Sequence, residues 1–355
     1  MGTKTRIYYL DLIRCLACLM VVAMHAPVPG GGLSGLVVVS ISLATAPCIG
    51  LFYMVSGALL LPTKESGIGF VKKRLGKITV PVLIWTGVAI IISGVEEGWP
   101  SVSELVRKVL SIPFHCEGHG VLWFMYPLVG MYLAAPVLSP YLERASKKEL
   151  QFYLALWGIT MCYPFLKMAL HIDESTNGVL YYFTGYLGYF VLGYYLRKYP
   201  VGKVLPAVLW LTVPFVGLGL SKHFGWPMDL YSHFRYLSIF TALSCVSWFT
   251  IAQKADAWLA ARSDTFKSAM TCFSCCSFGI YLMHIFIMRN FLWDICGIAR
   301  LGGVKSLIVS FLGSLLLSWG VTWIICHLPG GEYVVGYRAK RISFTCTCAE
   351  NQKHQ

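Results

Sequence analysis

The chain is 355 residues long, 57% hydrophobic and only 13% charged, with a formal net charge of +13. Soluble domains carry about 25% charged residues, so this composition excludes an ordinary soluble domain and points to an integral membrane protein with room for roughly ten spans of about 20 residues. The positive charge does not make it a nucleic-acid binder, because the basic residues fall in alternate loops between apolar segments.

Spans are expected near 7–26, 37–62, 78–95, 120–140, 150–170, 178–197, 204–221, 234–253, 270–290 and 304–327. The fold class is therefore all-α, a polytopic transmembrane helical bundle over 1–328, with a short, basic, poorly ordered tail over 329–355. The first apolar segment lacks a small-x-small end and carries charges, so it reads as a permanent span and not as a cleaved signal. No internal repeat is visible, which removes the usual mark of a secondary transporter. With the N-terminus inside, about 20 of the 29 Lys and Arg lie on the inner side. That bias places both termini in the cytoplasm.

The first span carries Asp11, Arg14 and His25. Ionisable groups in hydrocarbon are expensive and need a partner or a job. Asp11 and Arg14 are three apart and so are helical neighbours. Arg14 and His25 are eleven apart, which returns to nearly the same face roughly 16 Å along the axis. The three form one polar stripe facing a protein interior or a wet cavity, with Arg14 in the inner half and His25 toward the outer face.

Ser56 and Gly57 close the second span, and close helix packing is enough to explain them. The densest basic cluster, Lys72, Lys73, Arg74 and Lys77, lies in the next inner loop before Pro81. It reads either as a topology determinant touching anionic lipid or as a clamp for a phosphate-bearing ligand. An outer loop with Glu96, Glu97, Glu104, His115, Glu117 and His119 runs into Leu122-Trp123-Phe124. Glu117 and His119 are membrane-mouth or solvated residues, and Trp123 and Phe124 suit an aromatic belt. His223, Asp229, His233 and Arg235 cluster in a later outer loop, where they line a vestibule. In the ninth span Ser277, Tyr281 and His284 share a face at spacings of four and three. His284 lines a cavity or is a hydrogen-bonded core residue. Most of the 13 cysteines read as small apolar packing residues. Cys272, Cys275 and Cys276 lack a second pair or a His at zinc-site distance, so no metal is expected.

Taken together, Asp11-x-x-Arg14 and His25, Phe52-x-x-x-Ser56-Gly57, the basic loop before Pro81, Leu122-Trp123-Phe124 and Gly279-Ile280-Tyr281-Leu282-x-His284 resemble acyltransferase family 3, over about residues 7–327. The resemblance implies a membrane enzyme of the bacterial cytoplasmic membrane. Such enzymes move acetyl groups from acetyl-CoA to hydroxyls of surface polysaccharides or lipid-linked glycans. It implies no nucleic-acid partner, and it makes polysaccharide-assembly proteins candidate partners beside the lipid bilayer. The family's essential pair falls on Arg14 and His25. Its basic Arg-x-x-Arg pattern falls on Arg74 to Lys77, where Lys replaces the second Arg and loses the bidentate fork. The implied site has His25 as general base, Arg14 as its electrostatic partner and Asp11 to orient Arg14 and offset its burial. Lys73, Arg74 and Lys77 would hold the CoA phosphates. Ser56, Glu117, His119, Trp123, Tyr281 and His284 would surround the substrate cavity. The rival readings are a transporter or flippase for a glycan or lipid, suggested by the polar stripes, and a non-catalytic scaffold.

Overall fold

A chain this apolar has one economical way to satisfy its backbone in lipid, which is to bond every N–H and C=O within helices. The computed structural model describes residues 6–65, 67–112, 121–172, 174–225 and 235–339, and these contain helices and turns but no strand. In chain order the helices are α1 (Tyr8–His25), α2 (Gly35–Thr45), α3 (Cys48–Leu60), α4 (Gly67–Glu97), α5 (Val102–Ser111), α6 (Met125–Arg144), α7 (Lys147–Thr160), α8 (Tyr163–Leu170), α9 (Leu187–Lys198), α10 (Val204–Phe224), α11 (Ile239–Ala260), α12 (Asp264–Phe286), α13 (Gly303–His327) and α14 (Glu332–Val335). The protein is a polytopic helical bundle.

Among the described residues, eight helical segments are long and apolar enough to cross a bilayer; α2 with α3 forms one and α7 with α8 another. Two of the ten expected spans do not meet that standard. α9 has only 12 residues, and α11, although 22 residues long, is too polar. Thr241, Ser244, Ser247 and Thr250 all lie on its buried side. Both helices are interior elements, and their sequences reflect packing against protein more than contact with lipid.

α1 lies in the middle of the bundle, against α2, α3, α11, α12 and α13. The tightest contact elsewhere is between α3 and α9. A Cβ on Gly57 would overlap the Phe190 carbonyl, and one on Gly193 would overlap the Met54 backbone. Two backbones that touch in this way need glycine on both sides.

The basic residues before Pro81 are not in a loop. They lie on the opening turns of α4, a single helix of 31 residues. Lys and Arg are good helix formers, and Pro81 costs the helix one N–H bond without ending it. The bond lost is the one that would have reached the Lys77 carbonyl. Part of the acidic outer loop is also helical: α5 is a solvent-exposed helix closed by a reciprocal capping box between Ser101 and Glu104. Glu117, His119, Asp229 and His233 lie outside the described residues.

The start of the tail is ordered, against expectation. Val335 is completely buried, Trp85 donates its indole N–H to the Val334 carbonyl at 3.0 Å, and the Ala339 N–H bonds the Cys326 carbonyl at 2.8 Å. A hydrophobic anchor outweighs the polar composition around it.

Gly193→Val should damage the frame severely, because the Met54 backbone cannot retreat. Overpacking of this kind costs about 3 kcal/mol. Gly217→Val, facing open space, is the control. Thermal unfolding followed by size-exclusion chromatography in detergent should show a lower midpoint for Gly193→Val and near-native behaviour for Gly217→Val.

Candidate active site

The polar stripe of α1 opens onto two chambers, one toward each end of the helix. The larger has a volume of about 610 Å3, within the range of small-molecule sites. Its wall includes Arg6, Asp11 and Arg14 from the first segment, Ser56 from α3, Arg74 and Lys77 from α4, Arg197 from the end of α9, and Ser277 and Tyr281 from α12. Five basic side chains face the cavity and one acid does, so five minus one leaves a surplus of four positive charges among the described residues. A cleft with one sign of charge and low-dielectric walls concentrates ligands of the opposite sign.

The single acid is already engaged. Arg6 donates to both Asp11 oxygens, Nε to Oδ2 at 2.6 Å and Nη2 to Oδ1 at 3.0 Å. Ser274 Oγ donates to Oδ1 at 2.6 Å. Asp11 thus orients Arg6 and not Arg14. Helical side chains lean toward the N-terminus, which carries the Asp11 carboxylate away from Arg14 and toward the chain entering the helix. Arg14 makes no hydrogen bond or ion pair among the described residues and turns its guanidinium to the cavity. Arg74 lies with its guanidinium 5.8 Å from the Phe70 ring centre, and its Nε is buried without a partner. Arg197 donates to the Ala58 carbonyl. Lys73 is turned off the wall: its Nζ pairs with Glu65 at 2.7 Å.

The smaller chamber, about 50 Å3, is bounded by Met24, His25, Ile49, Trp123, Tyr236 and Tyr281 among others. Trp123 is internal and not a belt residue. Its ring sits 5.6 Å from Tyr186 and 5.3 Å from Tyr236. Tyr281 is on the wall of both chambers. Beside it, Phe124 lies with ring centroids 5.2 Å from Tyr281 and 5.7 Å from Phe52, so an aromatic partition separates the two spaces.

His284 lines neither chamber. It is fully buried behind His25, with the ring centroids 5.2 Å apart. Its Nδ1 faces the Tyr281 carbonyl at 2.6 Å. A carbonyl can only accept, so that nitrogen carries the proton and His284 Nε2 presents a lone pair. That lone pair is 3.4 Å from His25 Nδ1, which also faces the Val21 carbonyl at 2.9 Å. His25 Nδ1 therefore holds the proton, and Nε2 is left as the basic atom. The tautomer of His25 is thus set by the groups that stand behind it. Ser314 Oγ donates to the His284 carbonyl at 2.7 Å and ties that turn to α13.

The structure brings Asp11, Arg14, Ser56, Arg74, Lys77 and Tyr281 to one cavity, and His25, Trp123 and Tyr281 to the other. Sequence reasoning missed Arg6 and Arg197 as site residues and counted them only toward topology. Arg6 stands five residues before Asp11, a spacing that suggests no helical contact. Arg197 ends a helix whose glycines pointed only to packing. Tyr236, Ser274, Gly336 and Tyr337 also had no local motif to mark them.

The family model described as an acyltransferase domain matches residues 7–327. No curated protein and no solved structure matches the chain.

Asp11→Asn should weaken the junction between the chain start, α1 and α12. Breaking a buried pair costs about 3–5 kcal/mol, but Arg6 keeps 20% of its side-chain surface in solvent, so the expected loss is smaller, about 2 kcal/mol. Thermal unfolding in detergent reads this directly, and a midpoint equal to wild type would show that the pair contributes nothing.

Proposed function

The chain belongs to acyltransferase family 3, which makes it a membrane acyltransferase, and from that premise we propose that it moves an acetyl group from acetyl-CoA to a hydroxyl of a cell-surface polysaccharide or lipid-linked glycan. Its setting is the bacterial cytoplasmic membrane, with polysaccharide-assembly proteins as candidate partners. The observation that carries the reading is the wall shared at Tyr281 between a strongly basic cavity and a small chamber holding His25.

The residues fit such a donor. CoA carries phosphates at one end and a thioester at the other. Arg14 and Arg74 supply cationic groups that form no ion pair among the described residues, and Lys77 adds a third charge to the wall. Arg14 and His25 are eleven residues apart on one helix, roughly 16 Å. Arg14 therefore cannot contact a carbonyl that His25 serves, and its role is to hold the donor.

The acyl carbon reaches His25 through the aromatic partition. His25 Nε2 removes the proton from the acceptor hydroxyl as that oxygen adds to the thioester carbonyl. The negative charge passes from the carbonyl oxygen to sulfur as the C–S bond breaks. The thiolate leaves and recovers the proton from His25, so the products are the ester and free CoA. While His25 is protonated, its Nδ1–H keeps both acceptors, the Val21 carbonyl and His284 Nε2. Trp123, Tyr236 and Tyr281 give the acceptor side flat apolar faces with polar edges, a surface that suits a sugar ring.

Mass spectrometry of surface glycans from cells with the gene, without it and with His25→Ala is the test. Deletion and His25→Ala should each remove about 42 Da per modified unit, one acetyl in place of a hydrogen. In purified protein His25→Ala should lower turnover about 10²- to 10⁴-fold with CoA binding intact. Normal glycan acetylation by His25→Ala would overturn the mechanism.

Arg14→Ala and Arg74→Ala should each weaken CoA binding about tenfold or more, as expected when a charged hydrogen bond is lost. Lys73→Ala, paired away with Glu65, should leave it unchanged. Calorimetric titration of CoA separates these outcomes.

A further inference from the structure

We propose that the segment after the last long helix is part of the donor site, and that Tyr337 is a binding residue that stacks on the adenine of the acyl-CoA donor. This rests on the reading that the large cavity takes acyl-CoA. The family model ends at residue 327, yet Gly336 and Tyr337 line the basic cavity.

The segment is held there by its own contacts. α14 is anchored by buried Val335, by the Trp85 indole on the Val334 carbonyl and by the bond from the Ala339 N–H to the Cys326 carbonyl. Between these anchors Gly336 turns the chain at φ +72°, a conformation that side-chain-bearing residues rarely adopt. A Cβ on Gly336 would also run into the Phe278 ring, and it would stand 3.3 Å from the Lys77 carbonyl. That carbonyl is the one released by Pro81. The chain is thus bent at a position only glycine fills, and the next residue is placed on the cavity wall.

The neighbours give the chemistry. Phe278 lies on the same wall, as do Arg74 and Lys77. Flat aromatic rings beside cations match a ligand that carries a heterocyclic base next to phosphates, which is the nucleotide end of CoA and not its pantetheine arm. Stacking of a base on an aromatic side chain adds to affinity whatever the identity of the base.

The experiment is calorimetric titration of the full chain in detergent with two probes, CoA and phosphopantetheine, which keeps one phosphate and lacks the adenosine with its 3′- and 5′-phosphates. Tyr337→Leu fills similar space without a π face and should weaken CoA binding about tenfold or more, while phosphopantetheine binding stays at the wild-type value. Tyr337→Phe and Tyr337→Trp should restore CoA binding. Equal weakening of both probes would make Tyr337 a structural residue and overturn the inference, as would unchanged CoA binding by Tyr337→Leu. A wild-type protein that binds neither probe would overturn the CoA reading itself, a result distinct from either of these.

Discussion

A cavity with a surplus of four positive charges, set inside an apolar bundle, is the constraint on which the rest depends. Cations in a low-dielectric interior must be wetted or paired, and the only described carboxylate in the cavity is committed to Arg6 and Ser274. Arg14 and Arg74 are left for water or for an anion. This explains why α1 is central: its polar stripe cannot face lipid, so other helices must surround it. It also explains why the cavity is large, since charges left unpaired by protein need solvent when no ligand is present. The site is costly to build and suited to a polyanionic ligand for the same reason.

The opposite end of α1 follows different physics. Around His25 the chamber is small and walled by aromatic side chains, and two carbonyls and a second imidazole fix which nitrogen is basic. A strongly basic cavity and a chamber holding His25 are therefore separated along one helix, with Tyr281 on the wall of both. A flexible ligand able to reach both ends can use both environments without either perturbing the other.

Much of this was legible from the residues. Ionisable groups inside an apolar run must share a protected face, and the eleven-residue interval between Arg14 and His25 assigned them to opposite ends of it. Lys77 in place of a second Arg still reached the cavity. What failed depended on side-chain direction or distant packing. Asp11 and Arg14 are neighbours by spacing, yet the carboxylate leans back to Arg6. His284 shares a face with Tyr281, yet packs behind His25. The opening turns of α4 look like a loop because charge marks a membrane boundary but does not interrupt a helix. Residues 336 and 337 were invisible because nothing in a short polar tail announces that Val335 will anchor it.

The direct backbone contact of α3 with α9 at Gly57 and Gly193 sets a limit on how the protein can work. Interfaces cushioned by long side chains can slide, but two backbones in contact have no slack to shear. The ends of these helices contribute Ser56 and Arg197 to the basic cavity, so that part of the wall behaves as a rigid unit. Any movement that alters this part of the wall carries both helices together, whereas the ring of Tyr281, which lines both chambers, can turn on its own. Side-chain rotations are intrinsically much faster than collective domain movements. A frame of this kind leaves side-chain rotation as the adjustable part of the wall between the two chambers.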